Sequence, residues 1–313
     1  MKTLIVSAHN PMTGPRHLGH HISTMIDWPK LQDDHELFIV VDDLICSILY
    51  PGVRADIFDR SFACIKEFMA TGINLEEQNI VLTSMIPEVH ELSLFVSLSI
   101  DHAWCKKLYY ETFAGQLSTY QRSELQLPLL PSIAEIVYPQ IHLATLTLGL
   151  RADFFQGGEE MRGYLNIMKE ISNNIQSLSK TPKFMGGRNT FCMGIDGNHM
   201  TADNAIYISS SEDEIESCLS QTKSLDILKH WCHCLGNEEL HSAMCENEES
   251  KEHMEHCCKL MHNHLKEELA CFRNSSVANN EIIEVIEKSS IRARERVKET
   301  LIEVKREFGI PGY

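Results

Sequence analysis

The sequence has 313 residues, and its 44 acidic side chains outnumber 28 basic ones, giving a formal net charge of −16. Hydrophobic residues make up 43% and charged residues 23%, and no apolar run reaches the ~20 residues of a membrane helix. Wholesale disorder, a collagen-like repeat and a membrane span are therefore excluded, and the charge disfavours nonspecific binding to nucleic acid or anionic lipid.

The apolar stretch Met1 to Ala8 is too short for a signal peptide. The chain thus reads as cytoplasmic, with its eleven cysteines as free thiols in a reducing compartment; six of them fall between Cys232 and Cys271. Three β-branched runs mark buried strands: Thr3 to Val6, Glu36 to Val41 and Asn79 to Thr83. Helical patterns lie between them, one starting near Leu18 and one from Ala55 to Thr71. Alternating strands and helices predict an α/β fold with a doubly wound parallel sheet, whose ligands sit at the carboxyl ends of the strands. Further on, Ser132 to Gly149 and Glu159 to Leu178 read as helices, joined through a short strand and a glycine turn at Arg151 to Gly158. After about residue 225 the β signal disappears. Glu249 to Phe272 and Glu281 to Phe308 are charged helices, the second stopped by Gly309-Ile310-Pro311. The expected division is an α/β unit over 1–225 and an all-helical unit over 226–313.

The strongest local signal follows the first strand, in Asn10-Pro11-Met12-Thr13-Gly14-Pro15-Arg16-His17-Leu18-Gly19-His20-His21. His17 and His20 share one face at a helix start, with Gly19 between them allowing close approach by a ligand. Imidazoles there can donate hydrogen bonds to charge developing on a phosphoryl oxygen. Taken alone, His-x-x-His also fits histidines at a surface turn.

In this context His17-Leu18-Gly19-His20 resembles the first signature of class I aminoacyl-tRNA synthetases. The wider phrase is similar to the tryptophanyl and tyrosyl branch, with one extra residue at Met12. The resemblance continues through Leu31 to Leu44, through Asn79 to Ser93 in its tryptophanyl form, and into Ser290 to Lys298. It implies a Rossmann-type catalytic domain with a helical, anticodon-binding-like domain, a homodimer, ATP and Mg2+ as cofactors, and tryptophan or a related amino acid activated and passed to tRNA. It further implies that Thr13, Gly14, His17 and His20 hold the phosphates and that Gly19 packs against adenine. Gly158 and Glu160 would hold the ribose, while Tyr138, His142, Thr145 and Met161 line the amino acid side. His199 and Met200 mark the remnant of the closing loop.

Several positions depart from the family pattern. Met161 stands where the family has Gln, Thr145 where it has the specificity carboxylate, and His142 where it has Met or Gln. The second signature, expected as Lys-Met-Ser-Lys-Ser, falls on Gly194 to Ile206 without a lysine: His199 and Ala202 occupy the lysine places, and Arg188 or Lys183 are nearby substitutes. Two rival readings therefore stay open. One is a paralogue activating another amino acid or small substrate without charging tRNA. The other is a catalytically silent regulator that binds nucleotide or RNA. Cys232, His233, Cys234, Cys245, His253, His256, Cys257, Cys258, His262, His264 and Cys271 are zinc ligands in kind, His253 and Cys257 at helical spacing. Without a Cys-x-x-Cys pair they read as helix packing, and no metal site is expected. Arg292, Arg294, Arg296 and Lys298 interleave with Glu295 and Glu299, as in a salt-bridged helix face rather than an RNA contact.

Overall fold

The computed structural model describes residues 2–50, 56–111, 122–123, 133–187, 189, 191–245 and 250–311. Its centre is a parallel sheet of β1 (Thr3–His9), β2 (His35–Val41), β3 (Asn79–Leu82), β4 (Phe154–Gln156) and β5 (Lys183–Met185). Their spatial order is β3-β2-β1-β4-β5. The chain winds outward from β1 to β3, then returns to the other side of β1 for β4 and β5. The switch point lies between β1 and β4, where ligands of such sheets bind.

Alternation along each strand builds two cores. Ile5, Leu37, Ile39, Val41, Ile80 and Leu82 point to one face. Leu4, Val6, Phe38, Val40 and Val81 point to the other. The first face is covered by helices Leu18–Ser23, Trp28–Asp34 and Ile57–Met69, and by most of the C-terminal helices. The second is covered by helices Glu88–Ser97, Ile133–Gly149 and Gly163–Asn174. β1, β2 and β3 are thus buried on both sides, which explains their uninterrupted apolar runs.

The long helix Asn279–Glu307 serves both cores, Ile282 and Ile286 in one, and Ala293, Val297, Leu301 and Val304 in the other. It closes the open edge of the sheet at β3, where the Ile80 backbone N–H donates to Ser289 Oγ at 3.2 Å. Its basic residues pair inward: Arg292 donates to Asn79 Oδ1 and the Glu76 carbonyl, Arg294 to Glu88 and Arg296 to Glu36. They dock the helix on the sheet, and their partners lie across elements, beyond the neighbouring turn that spacing alone had indicated. The apolar core also runs without a break from β1 through Leu225, Trp231, Cys257 and Phe272.

Two expectations need correction. The stretch Glu159 to Leu178 is not one helix: a 3-10 turn at Glu159–Arg162 precedes helix Gly163–Asn174, and extended Ile175 separates a second 3-10 turn. The patterned stretch Glu249 to Phe272 also divides, into Lys251–Glu268 and Ala270–Arg273, at Leu269. None of the described helices is long and apolar enough to cross a membrane.

Candidate active site

β1 delivers the chain to its carboxyl end at His9, where a 3-10 turn at Pro11–Thr13 reverses it. Asn10 Oδ1 accepts the Met12 N–H at 2.8 Å, and Gly14 takes φ +93°, a region that an L side chain rarely adopts. Arg16 ties the turn shut from within. It is 1% exposed, and its guanidinium donates to the carbonyls of Asn10 at 2.9 Å and Gly14 at 2.7 Å. The helix Leu18–Ser23 then starts at His17. At six residues it is less than two turns, so the site relies on hydrogen-bond donors of the imidazoles rather than on a long helix dipole.

The two signature histidines touch, with ring centroids 3.8 Å apart at 37°. The His17 backbone N–H donates to His20 Nδ1 at 3.2 Å, which assigns the proton of a neutral His20 to Nε2. Burial, then the Arg16 charge, then His199, lower the His17 pKa from 6.5 to about 4. His20 is held well below its ordinary value, first by burial and then by Arg16. Both rings are therefore neutral hydrogen-bond donors near pH 7. A Cβ at Gly19 would lie 3.0 Å from the His17 ring, so a side chain there would press the imidazole out of place by a few tenths of an ångström.

These groups form one wall of a cavity of about 440 Å³, lined also by Ser23, Gly158, Asn189, Cys192, His199, Met200, Thr201 and Ala202. β4 leads directly to Gly158, so the cavity sits beside the switch point, at the carboxyl ends of β1 and β4. The Gly19 N–H donates to Met200 Sδ at 3.2 Å, joining the first signature to the second. The second segment is a folded bracket. Asn204 Oδ1 accepts the Thr201 N–H at 2.6 Å, and Asn204 Nδ2 donates to Asp196 at 2.8 Å. A Cβ at Gly194 would lie 2.3 Å from the Asn204 side chain. His199 is exposed and packs its ring on Phe191, with centroids 5.5 Å apart.

Among the described residues, no lysine or arginine lines this cavity. Lys183 opens β5, at the end of the sheet away from the pocket, and does not replace a loop lysine. Arg188 lies outside the described residues, as do the side chains of Thr13 and Glu160.

The residues expected on the amino acid side form a second group of contacts, on helix Ile133–Gly149. Tyr138 and His142 stack with centroids 5.3 Å apart, and His142 stacks on His90 at 5.5 Å. Tyr138 Oη lies 2.7 Å from His90 Nδ1, and His142 Nδ1 lies 3.6 Å from Asp42 Oδ1. His142 and Thr145 are fully buried, and among the described residues neither the imidazole nitrogens nor Thr145 Oγ1 has a hydrogen-bond partner. Buried polar atoms of this kind are uncommon in a finished core. Met161 packs back over Gly157, where a Cβ would lie 2.7 Å away.

Sequence reasoning missed Ser23, Asn189, Cys192, Arg16, His90 and Asp42. Only Asp42 carried a signal, as the acid at the carboxyl end of a strand. His253 and Cys257 do meet, with Sγ 3.5 Å from Nε2, but among the described residues no third His, Cys, Asp or Glu completes a metal-binding group.

A family model described as tRNA synthetases class I (W and Y) matches residues 5–295. The chain belongs to the class I tRNA synthetases of this branch. It is 25% identical over 228 residues to a tryptophan–tRNA ligase of Chlamydia caviae, covering 69% of this chain and 63% of that protein. A Borreliella burgdorferi tryptophan–tRNA ligase is 24% identical, with 62% of its length covered. The chain thus spans less than two thirds of these two relatives. The Thermotoga maritima tryptophan–tRNA ligase is 25% identical and is matched over 99% of its length and 98% of this chain. The tryptophanyl-tRNA synthetase structure from Mycoplasma pneumoniae shares the fold with a TM-score of 0.80 at 14% identity, covering 99% of this chain and 98% of that one. The Campylobacter jejuni synthetase complexed with ADP and tryptophan does so with 0.76 at 16%, covering 98% and 100%.

The buried histidines of this class I synthetase give a prediction for stability. His9 packs between Trp28 and Phe68, and burial, then Arg16, lower its pKa to about 3. The unfolded chain takes up that proton near pH 6.5, so the stability His9 contributes is complete above 6.5 and is lost as pH falls towards 3. Between pH 7.5 and 5.5 the wild type is expected to lose about 1.4 kcal/mol more than His9→Phe in urea unfolding. Equal losses in the two proteins would refute it.

Proposed function

We propose that the chain activates tryptophan with ATP to an aminoacyl-adenylate and transfers it to tRNA. The observation that carries this reading is the pair of neutral imidazoles, His17 and His20, on the wall of a cavity at the switch point of the sheet. In activation, a carboxylate oxygen of the amino acid bonds to the α-phosphorus and the bond to pyrophosphate breaks. His20, with its proton on Nε2, donates to a phosphate oxygen as charge grows there, with His17 beside it. Because both donors are already oriented and desolvated, little reorganisation is left for the reaction itself.

The backbone at Gly19 and Gly158 gives flat walls for adenine and ribose, with Thr13 and Gly14 on the phosphates and Glu160 on the ribose. Tyr138, His142, Thr145 and Met161 receive the amino acid, and the unpartnered atoms of His142 and Thr145 await a polar ligand. His199 and Met200 take the place of the lysine loop. The described lining residues include no carboxylate, so Mg2+ would arrive on the nucleotide's phosphates rather than on a protein ligand set. When bound it neutralises phosphate charge. The same reading carries a cytoplasmic homodimer with a catalytic unit over 1–225 and a tRNA-facing helical unit over 226–313.

ATP–pyrophosphate exchange with each amino acid in turn, followed by tRNA charging, tests it. Exchange is expected with tryptophan above the other amino acids, together with acylated tRNA. Measurable ATP binding with no exchange for any amino acid would sink the reading. Exchange without acylation would remove tRNA as a substrate.

A further inference from the structure

We infer that His142 reads the ring N–H of the bound amino acid through its Nε2 lone pair, with Asp42 orienting the imidazole from the Nδ1 side. The inference rests on tryptophan being the substrate, and it names the group that selects it. His142 lies within helix Ile133–Gly149 and is fully buried. Among the described residues neither of its ring nitrogens has a hydrogen-bond partner. Leaving a buried polar group unpaired is costly, so such a ring marks a place for a ligand's polar atom.

Two further elements converge on the ring. Tyr138, one turn earlier on the same helix, and His90, on helix Glu88–Ser97, form a triangle with it, with centroids 5.3, 5.5 and 6.2 Å apart. Tyr138 Oη and His90 Nδ1 lie 2.7 Å apart, so these two satisfy each other and leave His142 out. The second element is the carboxyl end of β2. There the Asp42 N–H donates to the His9 carbonyl at 3.0 Å, and Thr83 Oγ1 donates to Asp42 Oδ1 at 2.9 Å, which fixes the carboxylate. The same Oδ1 lies 3.6 Å from His142 Nδ1.

At 3.6 Å the contact is electrostatic rather than a hydrogen bond. It still distinguishes the two ring nitrogens, because a proton on Nδ1 faces a negative charge whereas a lone pair there would be repelled. In its neutral form the ring therefore keeps its proton on Nδ1 and presents a lone pair at Nε2.

The tryptophan side chain carries one polar group, the indole N–H, which can only donate. Phenylalanine has none and leaves Nε2 unpaired. A site whose buried acceptor is met only by the correct ligand rejects an isostere that lacks the donor. Thr145, one turn further along the helix, is also unpartnered among the described residues, but its hydroxyl donates as well as accepts and does not by itself demand an N–H.

Calorimetric titration of the full chain with L-tryptophan and with benzothienylalanine, whose sulfur replaces the ring N–H, tests this and needs no adenylate to form. The wild type should bind tryptophan roughly 10- to 100-fold more tightly than the isostere. His142→Phe should bring the two ligands within about threefold of each other, and His142→Gln, which keeps an acceptor, should retain part of the preference. Asp42→Ala should weaken tryptophan more than the isostere, whereas a purely structural role would weaken both alike. Equal binding of the two ligands by the wild type, no binding of tryptophan, or a preference that survives His142→Phe would overturn the inference. Loss of the preference in Thr145→Val alone would assign it to the hydroxyl instead. A preference in binding that depends on His142, without ATP–pyrophosphate exchange, would uphold this site and sink only the activation reading.

Discussion

Replacing His20 by alanine is expected to slow ATP–pyrophosphate exchange by roughly 10²- to 10³-fold, the loss seen when one preorganised donor to a developing oxyanion is removed. His20 Nδ1 is already engaged by the His17 N–H, so its other nitrogen carries the only proton the ring can donate. The ring is held neutral by burial and by the Arg16 charge, and an alanine restores neither the donor nor the dry wall. His21 provides the contrast within the same helix. Its Nε2 lies 3.1 Å from Glu268 Oε1, and its ring meets Phe272 edge-on, so it fastens the helix to the helices Lys251–Glu268 and Ala270–Arg273. His21→Ala should lower stability while sparing most of the exchange rate. Equal loss of exchange in the two variants would mean that the effect is structural, and retention in His20→Ala would remove this ring from the chemistry.

The sheet was legible because its strands are buried on both faces, so Leu37 to Val41 shows as one apolar block whichever core each residue enters. β5, three residues long with exposed Lys183 at its head, offers no comparable run. The candidate site was legible where its residues are consecutive: His17, Gly19 and His20 lie within four positions and line one cavity with Gly158, His199 and Met200. Partners brought from afar were not. Tyr138 and His90 stand on separate helices, and nothing in either local sequence announces the other. The charge of −16 changed meaning in the same way. Several of the scarce cations turn inward to dock the last helix on Glu36, Glu76 and Glu88, which leaves the cavity with no lysine or arginine among its described lining residues.

Arg16→Met should destabilise the fold by about 3–5 kcal/mol at pH 8, as expected when one partner of a buried charged arrangement is removed. In the sequence Arg16 reads as an ordinary polar residue of the signature turn, yet it is almost wholly buried. Two carbonyls, of Asn10 and Gly14, would lose their donor. Glu67 would lose more. Its carboxylate would keep the backbone N–H of residue 16, which it accepts at 3.1 Å, but lose the guanidinium charge, which opposes the burial that raises its pKa from 4.5 to about 7. A folded-state value above the unfolded one means that Glu67 stabilises the fold as a neutral acid below pH 4.5. That contribution disappears as pH climbs through 7. Arg16 limits the loss above pH 7, where the carboxylate is charged, so the cost of Arg16→Met should be smaller at pH 5.5 than at pH 8. Urea unfolding of both proteins at the two pH values measures this, and an equal cost at both would separate Arg16 from Glu67. The same substitution should let the His17 and His20 pKa values rise, because the Arg16 charge helps to depress both. Residual exchange activity should then begin to fall at a higher pH than in the wild type, as the imidazoles become charged. Arg16 thus couples the stability of the turn to the protonation state of the histidines it presents.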